Sequence, residues 1–533
     1  MMHDPDILSP SYNMNSYAYL RTRIHYAVSF VVSSAAKPSD HRRRDSSASD
    51  EKRSPAHHAA MMIFASEPGR NDMMYNPEYP VAFIQNEFLC VFTHKNSITF
   101  KSFNIIQHVA MEIKRDQYLE KLLSHRWNGM VKIVTGIRRC GKSCLLFTLF
   151  RNRLISEGVD PGDIIEIKLD EIDAVPLRNP LALYDYVKLR TSDGRKRYVL
   201  IDEIQMISSI RNPYVEDGDK ITFYEPLNSL LNTGYLDLYV SGSNSRMLSS
   251  DVLTQFRGRG DEIRLHPLSF SEFLSAKGGD RQAAYHDYLT FGGMPRLLSM
   301  NSDEEKAEYL KGLFRETYIR DIEERHRIDH PDVLEGIIDF LCSNTGSLTN
   351  PKKIASEFRN VSEGTVRKYI DYLIDAFLFS ESKRYDVKGK RYFMYPQKYY
   401  CEDPGLRNAR LNFRQQEITH LMENAIYNEL CIRGYSVDVG VVTINAKNPD
   451  GKSVRISKEI DFVANRYGDK VYIQSAFAMP DEEKLHAETD QFRYTGDSFR
   501  KVVVRGDTGN RWFDENGTLH IGIVEFLLDK NSI

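Results

Sequence analysis

No run of apolar residues in this sequence reaches the ~18 that a membrane-spanning helix requires, so no membrane partner is expected. Charge of one sign is lacking too: 71 Lys and Arg face 74 Asp and Glu, a formal net charge of −3 over 533 residues. That balance excludes a nucleic-acid footprint spread over the whole surface and leaves only a local basic face. Cysteine is sparse, with six residues scattered at positions 90, 140, 144, 342, 401 and 431. Such spacing excludes a disulfide framework and suits reduced thiols in the cytoplasm. The guanine-selecting pattern Asn-Lys-x-Asp is missing. The length allows about three domains and a substantial buried core.

Against this background one motif stands complete. Residues 136–143 read Gly-Ile-Arg-Arg-Cys-Gly-Lys-Ser, a phosphate loop with its glycines, lysine and serine at the required spacing. A β-prone stretch, Val131–Thr135, precedes it, and an apolar stretch, Cys144–Phe150, follows. Strand, turn and helix thus come in the order the motif needs. Gly136 and Gly141 let the backbone turn tightly and bring N–H groups against phosphate oxygens, and the helix N-terminus adds the positive end of its dipole. The nucleotide-binding candidates are Gly136, Ile137, Arg138, Arg139, Cys140, Gly141, Lys142, Ser143 and Cys144. Lys142 would reach the β- and γ-phosphates, and the Ser143 hydroxyl would bind Mg²⁺. Cys140 lies inside the loop, so its spacing from Cys144 is not read as a metal pair.

Downstream, Arg197–Asp202 is a β-prone run that ends on two adjacent carboxylates, Asp202 and Glu203. Its continuous apolar character suits a parallel strand buried on both faces. Asp202 would hold Mg²⁺ through water, and Glu203 would orient and polarise the attacking water. A further strand, Leu236–Val240, leads to Ser241-Gly242-Ser243-Asn244-Ser245, at the edge of a parallel sheet where ligands bind. Ser243 or Asn244 could touch the γ-phosphate or the attacking water; an ordinary Ser/Asn/Gly turn reads the same way. Arg257 and Arg259 follow, and Arg259 is the stronger candidate for stabilising transition-state charge, in cis or from a neighbouring subunit of a homo-oligomer. The catalytic candidates are therefore Lys142, Glu203, Asn244 and Arg259, and the metal candidates Ser143 and Asp202.

The order GIRRCGKS, YVLIDEIQ, LYVSGSNS, FRGRGDEIRLHPLSFSEF and YLTFGGMPRLL resembles a family of prokaryotic AAA+-type P-loop ATPases. That family carries a C-terminal domain related to restriction-endonuclease-like folds. The likeness runs from about Met111 to near residue 505, and its specific part is PLSFSEF and GGMP rather than the generic loop. The resemblance implies an ATP-binding core, ATP rather than GTP, ATP hydrolysis, a winged helix and the C-terminal domain. The expected fold class is α/β: an AAA+-like P-loop NTPase parallel sheet, then a winged helix and a PD-(D/E)xK-like α/β domain. Residues 1–110 read as an N-terminal extension, 111–275 as the ATPase core, 276–333 as a helical lid, 334–400 as the winged helix and 401–533 as the C-terminal domain.

The extension differs in character from the rest. Lys37–Ala56 is polar, Ser-rich and crowded with charge, a composition that suits disorder. Ile24–Ala36 follows Arg21 and Arg23 and only faintly resembles a targeting segment. Residues 81–110 suit a few short strands, and Met111 could equally be the true start, with a translated leader before it. In the core, Asp116–Leu123 and Pro180–Leu189 read as helices, Ile164–Leu169 as a strand and Glu304–Arg325 as the charged lid helix.

In the next region, Lys352–Phe358 reads as a short helix. Ser362 caps a second, with Val366, Ile370, Leu373 and Phe377 at helical spacing. Phe379–Tyr385, the turn Lys388-Gly389-Lys390 and Arg391–Tyr395 read as a hairpin wing. Arg367, Lys368 and the basic turn would meet DNA phosphates; a structural or protein-binding winged helix fits as well. Further on, Glu423 on a helix, Asp461 on a strand and Gln474 on the next outline a PD-(D/E)xK core. Its lysine position holds Ala476, and Gln474 replaces a carboxylate. The fold is therefore expected without cleavage, unless Lys458 or Lys470 reaches the site. Three functions stay open: an ATPase that rearranges its later domains, an ATP-gated nuclease, and a nucleotide-dependent switch or scaffold.

Overall fold

The computed structural model describes residues 113–533, apart from 216–217, 244–257, 415–416, 448–452 and 480–481, together with four short strands before residue 101. The chain divides into two compact units, Met1–Gln107 and His108–Ile533. In the first, Ile63–Phe64 runs parallel to Ala82–Gln85, which pairs antiparallel with Phe88–Phe92, itself antiparallel to Ile98–Phe100. The last three fall where short strands are expected. Lys37–Ala56 and Ile24–Ala36 lie outside the described residues. Among the described residues no helix is long and apolar enough to cross a membrane.

The second unit opens with helix α1 (Asp116–Ser124) and strand β1 (Val131–Thr135). A helix, α2, then runs through Lys142–Cys144, Leu145–Phe150 and Arg151–Ser156, widening to π-helical turns in its middle. β2 (Ile164–Lys168), α3 (Pro180–Arg190), β3 (Arg197–Asp202), α4 (Tyr224–Leu231), β4 (Leu236–Ser241) and β5 (Gly260–Arg264) follow. The five strands lie in the order β5-β1-β4-β3-β2, all parallel. β1, β3 and β4 are buried along their whole length, as apolar strands covered on both faces must be. Parallel pairing sends every strand out at the same edge, so Gly136, Glu203 and Gly242 all emerge there. β4 separates β1 from β3 and sets Ser241 beside Asp202. β5 is not foreseen from sequence. It is an edge strand whose only fully buried residue is Ile263, and it carries no apolar run to read.

After β5 come α5 (Phe270–Lys277) and α6 (Arg281–Phe291). The specific PLSFSEF segment is a capping box: the Ser269 hydroxyl accepts the Glu272 N–H, and the Glu272 carboxylate accepts the Ser269 N–H, which satisfies two orphan donors at once. A long helix, α7, spans Asp303–Gly312, Leu313–Ile319 and Arg320–Arg325. α8 (Pro331–Ser343), α9 (Pro351–Ser356) and α10 (Glu363–Asp375) follow, the last capped by Ser362 as expected.

The hairpin departs from expectation. β6 (Phe379–Ser382) pairs with β9 (Lys398–Cys401). Only β7 (Arg384–Asp386) pairs with β8 (Arg391–Tyr392), and β7 also runs parallel to β10 (Ser436–Lys447). One run of residues thus serves two sheets. It changes partner at Lys383, whose carbonyl accepts the Val439 N–H, so the hairpin is built into the C-terminal sheet.

That sheet has eight strands. Beyond α11 (Pro404–Arg410) and α12 (Ile418–Ile432) lie β10, β11 (Ser453–Arg466), β12 (Asp469–Ala476), α13 (Glu482–Thr489), β13 (Arg500–Arg505), β14 (Trp512–Phe513), β15 (Leu519–Gly522) and α14 (Ile523–Leu528). The order is β8-β7-β10-β11-β12-β13-β15-β14. Phe270 and Phe273 of α5 and Tyr288 of α6 share one core with Met422, Ile426 and Leu430 of α12 and with Phe462, Ile473 and Val502 of the sheet. The half that carries the parallel sheet and the C-terminal half are therefore packed through one apolar cluster.

Polar contacts reinforce this junction. The specific GGMP segment is explained by close approach. A Cβ on Gly292 would lie 1.9 Å from Asp403 Oδ1, and the Gly293 N–H donates to Asp403 Oδ2 at 2.6 Å. Next to it, the buried Glu402 carboxylate accepts Arg264 Nη2 at 2.7 Å and lies 2.6 Å from His266 Nδ1. Burial alone would raise its pKa, but Arg264 and then His266 overcome that and hold it down at about 2. A carboxyl lowered on folding contributes stability above its unfolded pKa and loses it as pH falls through the folded one. The contribution, roughly 3 kcal/mol, should be intact above about pH 4.5 and fade towards about pH 2. Glu402→Gln should lower unfolding free energy at pH 7 by about 3 kcal/mol and flatten the acid limb. Denaturant titrations at pH 7 and pH 3 check this, and parallel acid limbs in the two proteins would count against it.

Candidate functional site

The phosphate loop leaves β1 under tight steric control. Gly136 has φ 139°, and a Cβ there would lie 2.1 Å from the Leu265 carbonyl oxygen on the segment after β5. Only glycine fits such an approach. Ile137 and Cys140 are buried in the core, so these two hold the loop by packing and offer it only backbone. The Cys140 thiol faces the same Leu265 carbonyl at 3.5 Å, and burial pushes its pKa up. Gly141, with φ 104°, turns the chain into α2. Lys142 is buried and donates to the Gly136 and Ile137 carbonyls, each at 3.0 Å. An ammonium has three donors, and these two bonds use two of them. Arg139, Ser143 and Cys144 are exposed beside it.

The acidic strand ends at the same edge. Asp202 is buried, and its Oδ1 accepts both the Ser241 hydroxyl and the Glu203 N–H, the latter at 3.2 Å. Glu203 has φ 51°, a left-handed turn that swings its carboxylate out of the sheet. The Gln205 amide donates to that carboxylate and to Ser243 Oγ, the latter at 3.2 Å. Arg138 Nε donates to the same Ser243 Oγ at 3.3 Å, and Arg138 Nη2 lies 2.8 Å from Asp321 Oδ1 on α7. Loop, acidic strand and β4 terminus thus converge. The hydroxyl of Ser143 and the carboxylate of Asp202 are hard oxygen donors of the kind Mg²⁺ takes.

Two catalytic candidates do not join this group. Asn244, like Arg257, lies outside the described residues. Arg259 precedes β5, where its carbonyl accepts the Val131 N–H at 2.8 Å and its guanidinium bonds Asn232. That is the far edge of the sheet, one strand length or roughly 16 Å from the loop. The cis role for Arg259 is therefore corrected: it cannot reach this chain's own phosphates. Sequence reasoning missed Ser241, Gln205 and Asp321. The first two were findable as polar residues next to the recognised motifs. Asp321 carries no local signal, because tertiary packing alone brings α7 to the loop.

A second polar cluster lies in the C-terminal sheet. Glu423 of α12, Asp461 of β11 and Gln474 of β12 do come together, with Gln474 Oε1 accepting the Asp461 N–H at 3.3 Å. The lysine that reaches them is neither Lys458, which pairs with Asp490, nor Lys470, which lies over the Tyr385 and Phe499 rings. It is Lys398 of β9. Its Nζ sits 2.9 Å from Glu423, 2.9 Å from Glu459 and 3.5 Å from Asp461. Tyr400 adds an O–H bond to Glu423 at 2.8 Å. Burial favours a neutral Lys398, yet Glu423, Asp461 and Glu459 together push its pKa up, and burial pushes Asp461 up to about 7. An ammonium supplies the positive charge among these carboxylates. Among the described residues no group of three or more His, Cys, Asp or Glu is arranged to hold a metal. Lys398→Met strands buried carboxylates without a cation, so stability should fall by about 3–5 kcal/mol at pH 8. It should fall less at pH 5, where the Asp461 carboxyl takes up a proton. Unfolding midpoints at the two pH values check this; an equal loss at both would refute it.

Comparison with known proteins agrees with this geometry. A family model described as an AAA domain matches residues 128–274, and one described as a domain of unknown function (DUF8612) matches residues 282–417. A Haemophilus influenzae protein described as uncharacterized is 33% identical over 429 residues, covering 78% of this chain and 98% of that protein. An uncharacterized protein of Methanocaldococcus jannaschii is 26% identical over 338 residues, covering 60% of this chain and 70% of that one. Of solved structures, AMPPCP-bound DnaA from Aquifex aeolicus is 16% identical, covering 48% of this chain and 86% of its own at a TM-score of 0.25. The Aeropyrum pernix ORC1 protein in complex with DNA is 14% identical, covering 56% and 92% at a TM-score of 0.23. With the AAA domain lying over the loop and its acidic strand, and the Haemophilus match spanning nearly all of that protein, the chain belongs to its family, a prokaryotic family of AAA+-type P-loop ATPases.

Proposed function

We propose that this protein is a cytoplasmic, Mg²⁺-dependent ATPase whose turnover rearranges the domains that follow its parallel sheet. The observation that carries the reading is the Lys142 ammonium held on two loop carbonyls, with Glu203, Gln205 and Ser243 converging at the same sheet edge. Loop N–H groups and Lys142 would hold the β- and γ-phosphates. Ser143 and Asp202 would hold Mg²⁺, which neutralises phosphate charge when bound. A water oxygen attacks the γ-phosphorus, the bond to the ADP oxygen breaks, and Glu203 takes the proton that water loses. Ser243 or Asn244 would touch the γ-phosphate or that water. Arg259 would act in trans, from a neighbouring copy in a homo-oligomer.

The later domains give the turnover something to move. We read α8, α9, α10 and the β7–β8 hairpin as a winged helix, and the C-terminal sheet as a PD-(D/E)xK-like fold whose cluster Lys398 has filled. Cleavage of nucleic acid is not part of the reading. DNA binding is a second reading, favoured by Lys388 and Lys390 standing exposed on one hairpin turn. Arg367 is less available, since it pairs with Glu363 and lies over the Tyr395 ring.

Lys142→Ala should abolish ATP binding. Glu203→Gln should keep binding and slow turnover by about 100-fold or more, the usual loss of a positioned base. Steady-state phosphate release and fluorescent-nucleotide titration, each with and without DNA, measure both. Wild-type turnover in Glu203→Gln would remove that residue from the mechanism. For the trans role, mixing Arg259→Ala with Lys142→Ala protein should restore turnover that neither has alone. Brisk hydrolysis by a protein that light scattering shows to be monomeric with ATP would rule it out.

A further inference from the structure

Arg138 is the third residue of the phosphate loop, and its guanidinium is engaged on two sides. On one side Nε donates to Ser243 Oγ at the end of β4. On the other, Nη2 meets the carboxylate of Asp321 at 2.8 Å. Asp321 is almost buried, at 9% exposure of its side chain, and it lies in the last part of α7, Arg320–Arg325. A buried carboxylate depends on its countercharge, because the low dielectric around it makes an unpaired charge costly. The end of α7 is therefore fastened to the phosphate loop by an arginine that belongs to the loop itself.

We infer that Arg138 is a positioning residue that reports the γ-phosphate to α7, exchanging Asp321 for ATP. This rests on the ATP-binding reading and goes beyond it by naming how the site is regulated. A guanidinium presents planar, paired donors that match phosphate oxygens. A γ-phosphate beside Lys142 carries more charge than one carboxylate and arrives within reach of Ser243. As the guanidinium turns to it, Asp321 loses this contact with the loop, and the helix end that carries it is released from the loop. ADP lacks the γ-phosphate and leaves the Arg138–Asp321 pair intact. α7 abuts α11 through its middle, where Arg410 lies over the Phe314 ring, so release of its end would be felt in the C-terminal half.

The test combines nucleotide affinity with amide hydrogen exchange of residues 320–325 in the full chain. In the wild type, Mg²⁺-ATP should raise exchange of that segment about fivefold or more, and ADP should not. Asp321→Asn keeps the shape but removes the competing charge. It should bind ATP about five- to tenfold tighter and show raised exchange before any nucleotide is added. Arg138→Lys, a point charge in place of a fork, should fold normally yet lose most of the ATP-dependent change. Three results overturn the inference alone: equal ATP affinity in Asp321→Asn with a segment that stays protected, an ADP effect equal to that of ATP, or an undiminished response in Arg138→Lys. A wild-type chain that binds no ATP overturns the ATPase reading and this inference together.

Discussion

Leu265 passes so close to the phosphate loop that its carbonyl occupies the space a side chain on Gly136 would need. The residues on either side of it, Arg264 and His266, are both held by the buried carboxylate of Glu402. Three consecutive residues therefore touch the nucleotide loop on one side and the C-terminal half on the other. Neither contact has room to adjust. Backbone packed against backbone leaves no rotamer to yield, and a buried carboxylate held by a guanidinium and an imidazole cannot give one up cheaply. Any movement of the loop must be accommodated by β5 and the segment after it, or by something the loop can release.

The apolar junction makes the same point. α5 and α6 directly follow the ATPase sheet, yet they share a core with α12 and with strands β11–β13. Asp403 ties Gly293 to α11 and approaches Gly292 too closely for any side chain. The conformational freedom that turnover would need is therefore concentrated in contacts made by exposed or exchangeable charges. Arg138, half exposed and shared between Ser243 and Asp321, is the clearest of these.

The carboxylate at the end of β3 and those of the C-terminal sheet have different partners. Asp202 receives a hydroxyl and a backbone N–H. Both are neutral donors. Glu423, Glu459 and Asp461 already surround the Lys398 ammonium. That charge is balanced from within the chain, by a strand outside the segment where the lysine would be sought.

The chain's own order of residues determined the parts whose chemistry is local. The phosphate loop is encoded within one turn, because the spacing of two glycines, a lysine and a serine is itself the geometry. β1, β3 and β4 were legible as β-prone, mostly apolar runs, since a strand covered on both faces has little polar surface to show; only Lys132 of β1 and Asp237 of β4, which pair with each other, interrupt the apolar interiors of these runs. β5 was not, because an edge strand needs few apolar residues. The fastening of the β7–β8 hairpin to the C-terminal sheet depends on which edge β10 offers, which no hairpin sequence contains. Lys398 reaches Glu423 and Asp461, and Asp321 reaches Arg138, only because separate helices and strands pack together. Arg259 is carried away from its own site by the direction of the strand it precedes. Side chains that meet through the stacking of distant elements leave no periodic or motif signature along the chain, so tertiary structure alone decided them.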